Sequence, residues 1–404
     1  METKIDGGYG WTICAIACWM SASFGMADDG FSLIVGLLTK ELNDSLALVS
    51  LGGALIATIQ CILAPIYSLV GNLLGHREAL TISLILAPIS LGLSGFVTNT
   101  SLFIASYCIV PGLCYGQISL SALSIMISYF DKKLTIANGL FKGALTLGIV
   151  VHSMPVNYLA LNYNPVKYNS MYMMSLFLTC LLLMPFFYPQ TKSVHHAQGT
   201  SDDSQNKTFH PVPAFLFYIS VLFYWIGFYM TYTLIVEMVE FQAIRKITSF
   251  ERSVIVLGHA MANGSSRMVG PIISQYWNIP SQLMCACFLI VNICVTMGFI
   301  IVTDFYVLLT LVILFGICTG PSAAFDTGIA LELLGPNRDE LAISILYVCM
   351  GIGHMPGAPL AGYLYEISES YFWSLTGCAL CHLISACCNI LSDLYRQRIG
   401  YEKL

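Results

Sequence analysis

Apolar runs of about twenty residues recur along the whole of this chain, and short polar breaks divide them into twelve. At 1.5 Å per residue, about twenty helical residues cross the ~30 Å hydrocarbon core of a bilayer. Inside lipid every backbone N–H and C=O must be satisfied within the protein, which leaves helices or a closed barrel. Uninterrupted apolarity, not alternation, selects helices, so the expected fold is an all-α membrane protein with twelve transmembrane helices. The expected spans are Tyr9–Leu38, Leu46–Val70, Glu78–Val97, Ser101–Ile127, Leu134–Tyr158 and Tyr168–Tyr188, then Val212–Val236, Ser253–Ser274, Ser281–Val302, Phe305–Leu334, Leu341–Tyr365 and Tyr371–Leu391.

Charge supports this reading. Only 10% of residues are charged, where a soluble domain carries about 25%. No basic block suits a nucleic acid. No Ser/His/Asp set, metal cluster or phosphate loop suits an enzyme, and no cofactor is expected. The fifteen cysteines fall inside apolar runs, where a thiol packs as a small hydrophobe. Glu2 after Met1 excludes myristoylation, and "YEKL" is no prenylation tail. The N-terminus lacks a basic leader, so the first span is expected to act as its own uncleaved signal.

Cations set the orientation. With the N-terminus inside, inner loops carry Lys4, Arg77, Lys132, Lys133, Lys192, Lys207, Arg338, Arg396, Arg398 and Lys403. Outer loops carry Lys40, Lys167, Arg245, Lys246 and Arg252. The positive-inside rule therefore puts both termini in the cytoplasm. The longest polar segment, "PQTKSVHHAQGTSDDSQNKTFHPVP", has linker composition and splits the spans six and six. The expected division is a six-helix bundle over 1–189, a cytoplasmic linker over 190–211 and a second bundle over 212–404. Two sequons, at Asn43 and Asn99, fall in short outer loops.

Four motifs carry a resemblance. The first span opens "DGGYGW", the fifth is entered by "YFDKKLTIANGLFKGALTLG", "GNLLGHR" joins spans two and three, and "LELLGPNRDELAISILYVCMGIGHMPGAPLAGYLYE" runs from span ten through eleven. In order and position these resemble the signatures of the monocarboxylate transporter family (solute carrier family 16), within the major facilitator superfamily. The resemblance implies two six-helix halves rocking around a central site by alternating access. It departs from the lactate carriers at two points. No lysine lies between Trp11 and Thr39, where "ADDGFSLIVG" resembles a different branch. In span eight, "NGSSR" keeps Arg267 but has Asn263 where the lactate carriers have an aspartate.

Ionisable residues inside spans cost about 2.5–3.5 kcal/mol each at mid-bilayer, so they are expected to face the bundle interior or water. Those well inside a span are Asp28 and Asp29 in span one, Lys142 in five, Arg267 in eight and Asp326 in ten. In the resembled fold all five stand on helices that line or flank the cavity. Depth places the acid pair near the outer mouth, and Lys142, Arg267 and Asp326 at one lower level. A net positive level draws an anion, and arginine's planar fork suits a carboxylate. Lys142 either helps draw that anion or snorkels to headgroups. Arg267 either contacts substrate or belongs to an ion pair with Asp326, with Asn263 one turn away. Successive helical residues point about 100° apart, so of Asp28 and Asp29 one faces the mouth, to bind a proton or a substrate's cationic group; otherwise both are solvated at a helix break. Tyr229 and Tyr232, in the aromatic run "FYWIGFYMTY", are expected to wall the substrate's body. The histidines His152, His259, His354 and His382 read as packing residues.

The function this implies is a plasma-membrane secondary transporter of small organic monocarboxylates, simple or zwitterionic in the manner of creatine or carnitine. Proton coupling is left open, and a single-span accessory glycoprotein is an open partner beside membrane lipid. The rival reading is a non-transporting, transporter-like sensor; the short C-terminus "DLYRQRIGYEKL" favours the carrier.

Overall fold

A computed structural model describes residues 7–127, 129–130, 134–187, 211–334 and 339–401. The side chains of Asp28, Asp29 and Lys142, within helices, lie outside that description. The described chain is helical throughout: α1 (Tyr9–Asp28), α2 (Val35–Leu42), α3 (Leu46–Ile62), α4 (Ala64–Leu74), α5 (His76–Ser94), α6 (Thr100–Phe103), α7 (Val110–Ile127), α8 (Leu134–Asn162) and α9 (Pro165–Leu183). Then follow α10 (Pro211–Tyr232), α11 (Ile235–Gln242), α12 (Ser249–Trp277), α13 (Ser281–Ile301), α14 (Phe305–Leu334), α15 (Asp339–Ser368) and α16 (Phe372–Tyr401).

Local chemistry sets the helix starts. The Ser45 hydroxyl accepts from Leu48 N–H at 3.1 Å to open α3, and the Asn164 side chain accepts from Lys167 N–H at 2.8 Å ahead of Pro165. Asp304 Oδ1 accepts from the amides of Tyr306 and Val307 at the start of α14. At the start of α12, Thr248 and Glu251 form a reciprocal capping box: Thr248 Oγ1 accepts from Glu251 N–H at 3.3 Å, and Glu251 Oε2 accepts from Thr248 N–H at 2.9 Å.

Three expectations need correction. The first span is not one helix to Leu38: α1 ends at Asp28, a 3₁₀ turn runs Asp29–Leu33, and α2 follows. The second span is α3 and α4, bent by 57° at Leu63. Pro65 stands at the start of α4 and contributes no N–H across that bend. Among the described residues ten helices are long and apolar enough to cross a membrane, or eleven with the bent pair as one span. The twelfth, α12, is present with 29 residues, and its polar side chains explain why apolarity alone passes it over. Of these, Arg252, His259, Asn263 and Ser266 are buried.

Two compact units result. The first holds spans one to six together with Thr248–Leu257; the second holds the remaining part of spans seven to twelve. In the first unit α1 and α8 meet through glycine. A Cβ at Gly148 would come within 1.8 Å of the Ala22 carbonyl oxygen, and one at Gly25 within 2.1 Å of that of Leu145. In the second unit α10 and α15 meet the same way: a Cβ at Gly353 would stand 2.8 Å from the Leu222 carbonyl oxygen, and one at Gly357 2.7 Å from that of Ile226. Spans one and five, and spans seven and eleven, thus share one mode of backbone approach, as small residues allow in lipid. Gly143, also on α8, has open space where a Cβ would be. Outward faces carry exposed apolar side chains such as Leu182 and Ile301, which suit contact with hydrocarbon.

Candidate functional site

The charged interior of the second unit is built on α10, α12 and α14. On α12, His259, Asn263 and Arg267 recur every fourth residue and so share one face. That face lies against α14 at closely spaced glycines. A Cβ at Gly316 would meet the His259 carbonyl oxygen at 2.7 Å, and one at Gly320 would meet Ser266 Oγ at 1.9 Å and the Asn263 carbonyl oxygen at 2.6 Å. Hydrogen bonds lock the seam. Asn263 Nδ2 donates to Thr319 Oγ1 at 3.0 Å, and Ser266 Oγ donates to the Gly316 carbonyl at 3.3 Å.

Asp326 stands seven residues beyond Thr319, two turns on and on the same face of α14. It is buried, as is Tyr224 of α10. Arg267 and Asp326 bear on each other electrostatically, and both bear on Tyr224. They do not form the direct ion pair that the sequence suggested: no N–O contact of 4.0 Å or less joins them, whereas Arg396 and Glu332 meet at 2.8 Å. Arg267 Nε and Asp326 Oδ2 are each buried without a hydrogen-bond partner. Trp225 Nε1 is also buried without a hydrogen-bond partner. Ser322 Oγ and both ring nitrogens of His259 are in the same condition. Such groups are normally paired, because each desolvated donor or acceptor left open costs free energy. Open polar atoms occur in both units, and those near the opposite charges Arg267 and Asp326 are the candidate site.

An aromatic layer packs on Trp225 and His259. Tyr229 packs on His354 with ring centroids 4.6 Å apart, and Tyr232 on His259 at 4.5 Å. Phe228 stacks against Tyr232 at 5.0 Å and faces Phe315 at 6.0 Å. The structure therefore gathers Arg267, Asn263, Asp326, Tyr229 and Tyr232 into one unit. Asp28, at the end of α1, Asp29, at the start of the 3₁₀ turn, and Lys142, in α8, belong to the other unit. Sequence reasoning passed over Trp225, Ser322 and His259 as site residues. For His259 the spacing to Asn263 and Arg267 was a usable signal; for the other two no signal along the chain reveals an unpaired atom.

Residues 17–338 match the family model described as Major Facilitator Superfamily. Monocarboxylate transporter 9 of Mus musculus is 27% identical over 152 residues, which cover 37% of this chain and 29% of that protein's length. Monocarboxylate transporter 10 of Mus musculus is 24% identical over 393 residues, 91% of this chain and 75% of that protein. A crystal structure of the peptide transporter POT in complex with sulfate superposes with a TM-score of 0.75 at 11% identity, over 99% of this chain and 97% of that one. At that identity the likeness is one of fold.

Proposed function

The chain belongs to the major facilitator superfamily, and on that premise we propose that it is a plasma-membrane secondary transporter of small organic monocarboxylates, working by alternating access. The observation that carries this reading is Arg267, a cation in a membrane helix whose Nε is buried and open, beside further open polar atoms on α10 and α14. A guanidinium stays charged, and its fork meets a carboxylate through parallel charge-assisted hydrogen bonds. Asp326 offers an acceptor to a substrate that also bears a positive group, which extends the class to creatine-like or carnitine-like zwitterions. The Tyr229 and Tyr232 rings supply apolar surface for the substrate's body. Asp28 and Asp29 are the groups assigned to proton coupling.

Uptake of labelled lactate, propionate, creatine and carnitine into proteoliposomes, at two pH values, tests the reading. Flux of at least one compound that disappears in Arg267→Ala supports it. Arg267→Lys keeps the charge but not the fork, and is expected to lose at least about tenfold in uptake. Binding of these acids without flux overturns it in favour of a sensor.

A further inference from the structure

We propose that Tyr224 is a positioning residue for the site around Arg267 and Asp326: its hydroxyl holds the glycine–proline segment of α14 in register beside α12. The relevance to transport rests on the reading above; the geometry stands by itself. Tyr224 is fully buried, and its hydroxyl donates to the Thr319 backbone carbonyl at 2.7 Å. The same residue is gripped from the other side, where Thr319 Oγ1 accepts from Asn263 Nδ2 at 3.0 Å and donates to the Phe315 carbonyl at 2.8 Å. Thr319 thus joins α10, α14 and α12.

This junction sits beside the one proline inside α14. Pro321, two residues on, has no N–H and leaves the carbonyl one turn earlier without its helical donor. Gly316 and Gly320 flank Thr319 and carry no side chain to brace the helix. Hydrogen bonds from neighbouring helices supplement the helix's own ladder here, and among the described residues the Tyr224 bond is the one that comes from α10. On the far side of the proline lies Asp326, while Asn263 lies one turn from Arg267 on α12. A shift of Thr319 would move both charged groups relative to each other. The Tyr224 ring has a separate packing role: it lies edge-on to Trp225 at 5.0 Å and near His382 at 6.0 Å. Tyr224→Phe keeps that packing and removes only the hydroxyl.

The test uses the full chain in lipid nanodiscs, with hydrogen–deuterium exchange and no ligand. In Tyr224→Phe, amides over 316–327 and 259–267 are expected to exchange faster by on the order of fivefold, what a hydrogen bond of ~1 kcal/mol is worth, while α1 and α8 keep wild-type rates. Unchanged exchange over 316–327, or an equal rise in α1 and α8, overturns the proposal. In proteoliposomes, with whichever of labelled lactate, creatine or carnitine the wild type carries fastest, half-saturation should rise severalfold at a maximal rate within about twofold. Unaltered half-saturation overturns it as well. Absence of wild-type flux would sink the transport reading, and exchange alone would then decide the role of Tyr224.

Discussion

The amide of Asn263 donates to the hydroxyl of Thr319 at 3.0 Å, and with the Ser266 bond to the Gly316 carbonyl it ties the helix that carries Arg267 to the helix that carries Asp326. The position that lactate carriers fill with an acid here serves as a neutral cross-link. It leaves Arg267 without a carboxylate one turn away. Asn263→Leu should lower the stability of the protein in nanodiscs by about 0.6–1.7 kcal/mol, the range measured for hydrogen bonds between membrane helices, read as a fall in melting temperature. Asn263→Asp should act differently. A carboxylate one turn from Arg267 competes with substrate, so half-saturation should rise by about tenfold; equal kinetics in Asn263→Asp and wild type would refute the competition.

Arg267 and Asp326 act on each other across α12 and α14 without touching. Removing either leaves the other more costly to bury. Asp326→Ala should therefore impair uptake severely while protein still reaches the membrane. The double exchange Arg267→Asp with Asp326→Arg should recover surface expression relative to either single exchange, because the two charges remain opposite. Surface expression no better than in the single exchanges would show that the groups are energetically independent.

Gly148 and Gly143 provide a matched pair on one helix. A methyl at Gly148 meets the Ala22 carbonyl, and one at Gly143 meets open space. Gly148→Ala should cost about 1–3 kcal/mol through overpacking, and Gly143→Ala should stay within about 0.5 kcal/mol of wild type. Thermal melts of the two variants check this. Similar melting temperatures would mean that α1 and α8 separate easily.

Proton coupling, if it resides in the acid pair, should vanish with the acids. Asp28→Asn or Asp29→Asn is expected to flatten the pH dependence of uptake. A pH profile unaltered in both variants and in the double variant would remove the pair from the coupling mechanism.

Lys142→Gln keeps the length of the side chain and deletes its charge. A raised half-saturation concentration at constant surface expression is the expected result if the ammonium draws the anion inward. Normal kinetics would assign the residue to headgroup contact.

Much of this molecule was legible along the chain. Apolarity by itself finds ten membrane helices among the described residues, or eleven with α3 and α4 as one bent span, and passes over α12, which its length and its place between polar breaks marked. The charged residues were identified because each is costly in a bilayer whatever its surroundings. A helix break before Gly30 was among the alternatives; α1 ends at Asp28 and a 3₁₀ turn runs Asp29–Leu33. The packing role assigned to the histidines holds for His382, whose Nδ1 meets Asn292 Nδ2 at 3.0 Å. His259 packs as well, on the rings of Tyr232 and Phe315, although neither of its ring nitrogens has a hydrogen-bond partner.

The sequence by itself determined what each helix is made of: which stretches cross lipid, and which residues must find a polar environment there. Those properties belong to a residue and its neighbours on one helix, so they can be read in one dimension. The tertiary structure decided who meets whom. Asn263 finds Thr319 fifty-six positions away, because Gly316 and Gly320 let α14 lie against the backbone of α12. Helix separation is set by the side chains that are missing at the crossing, and only the folded bundle brings those absences face to face.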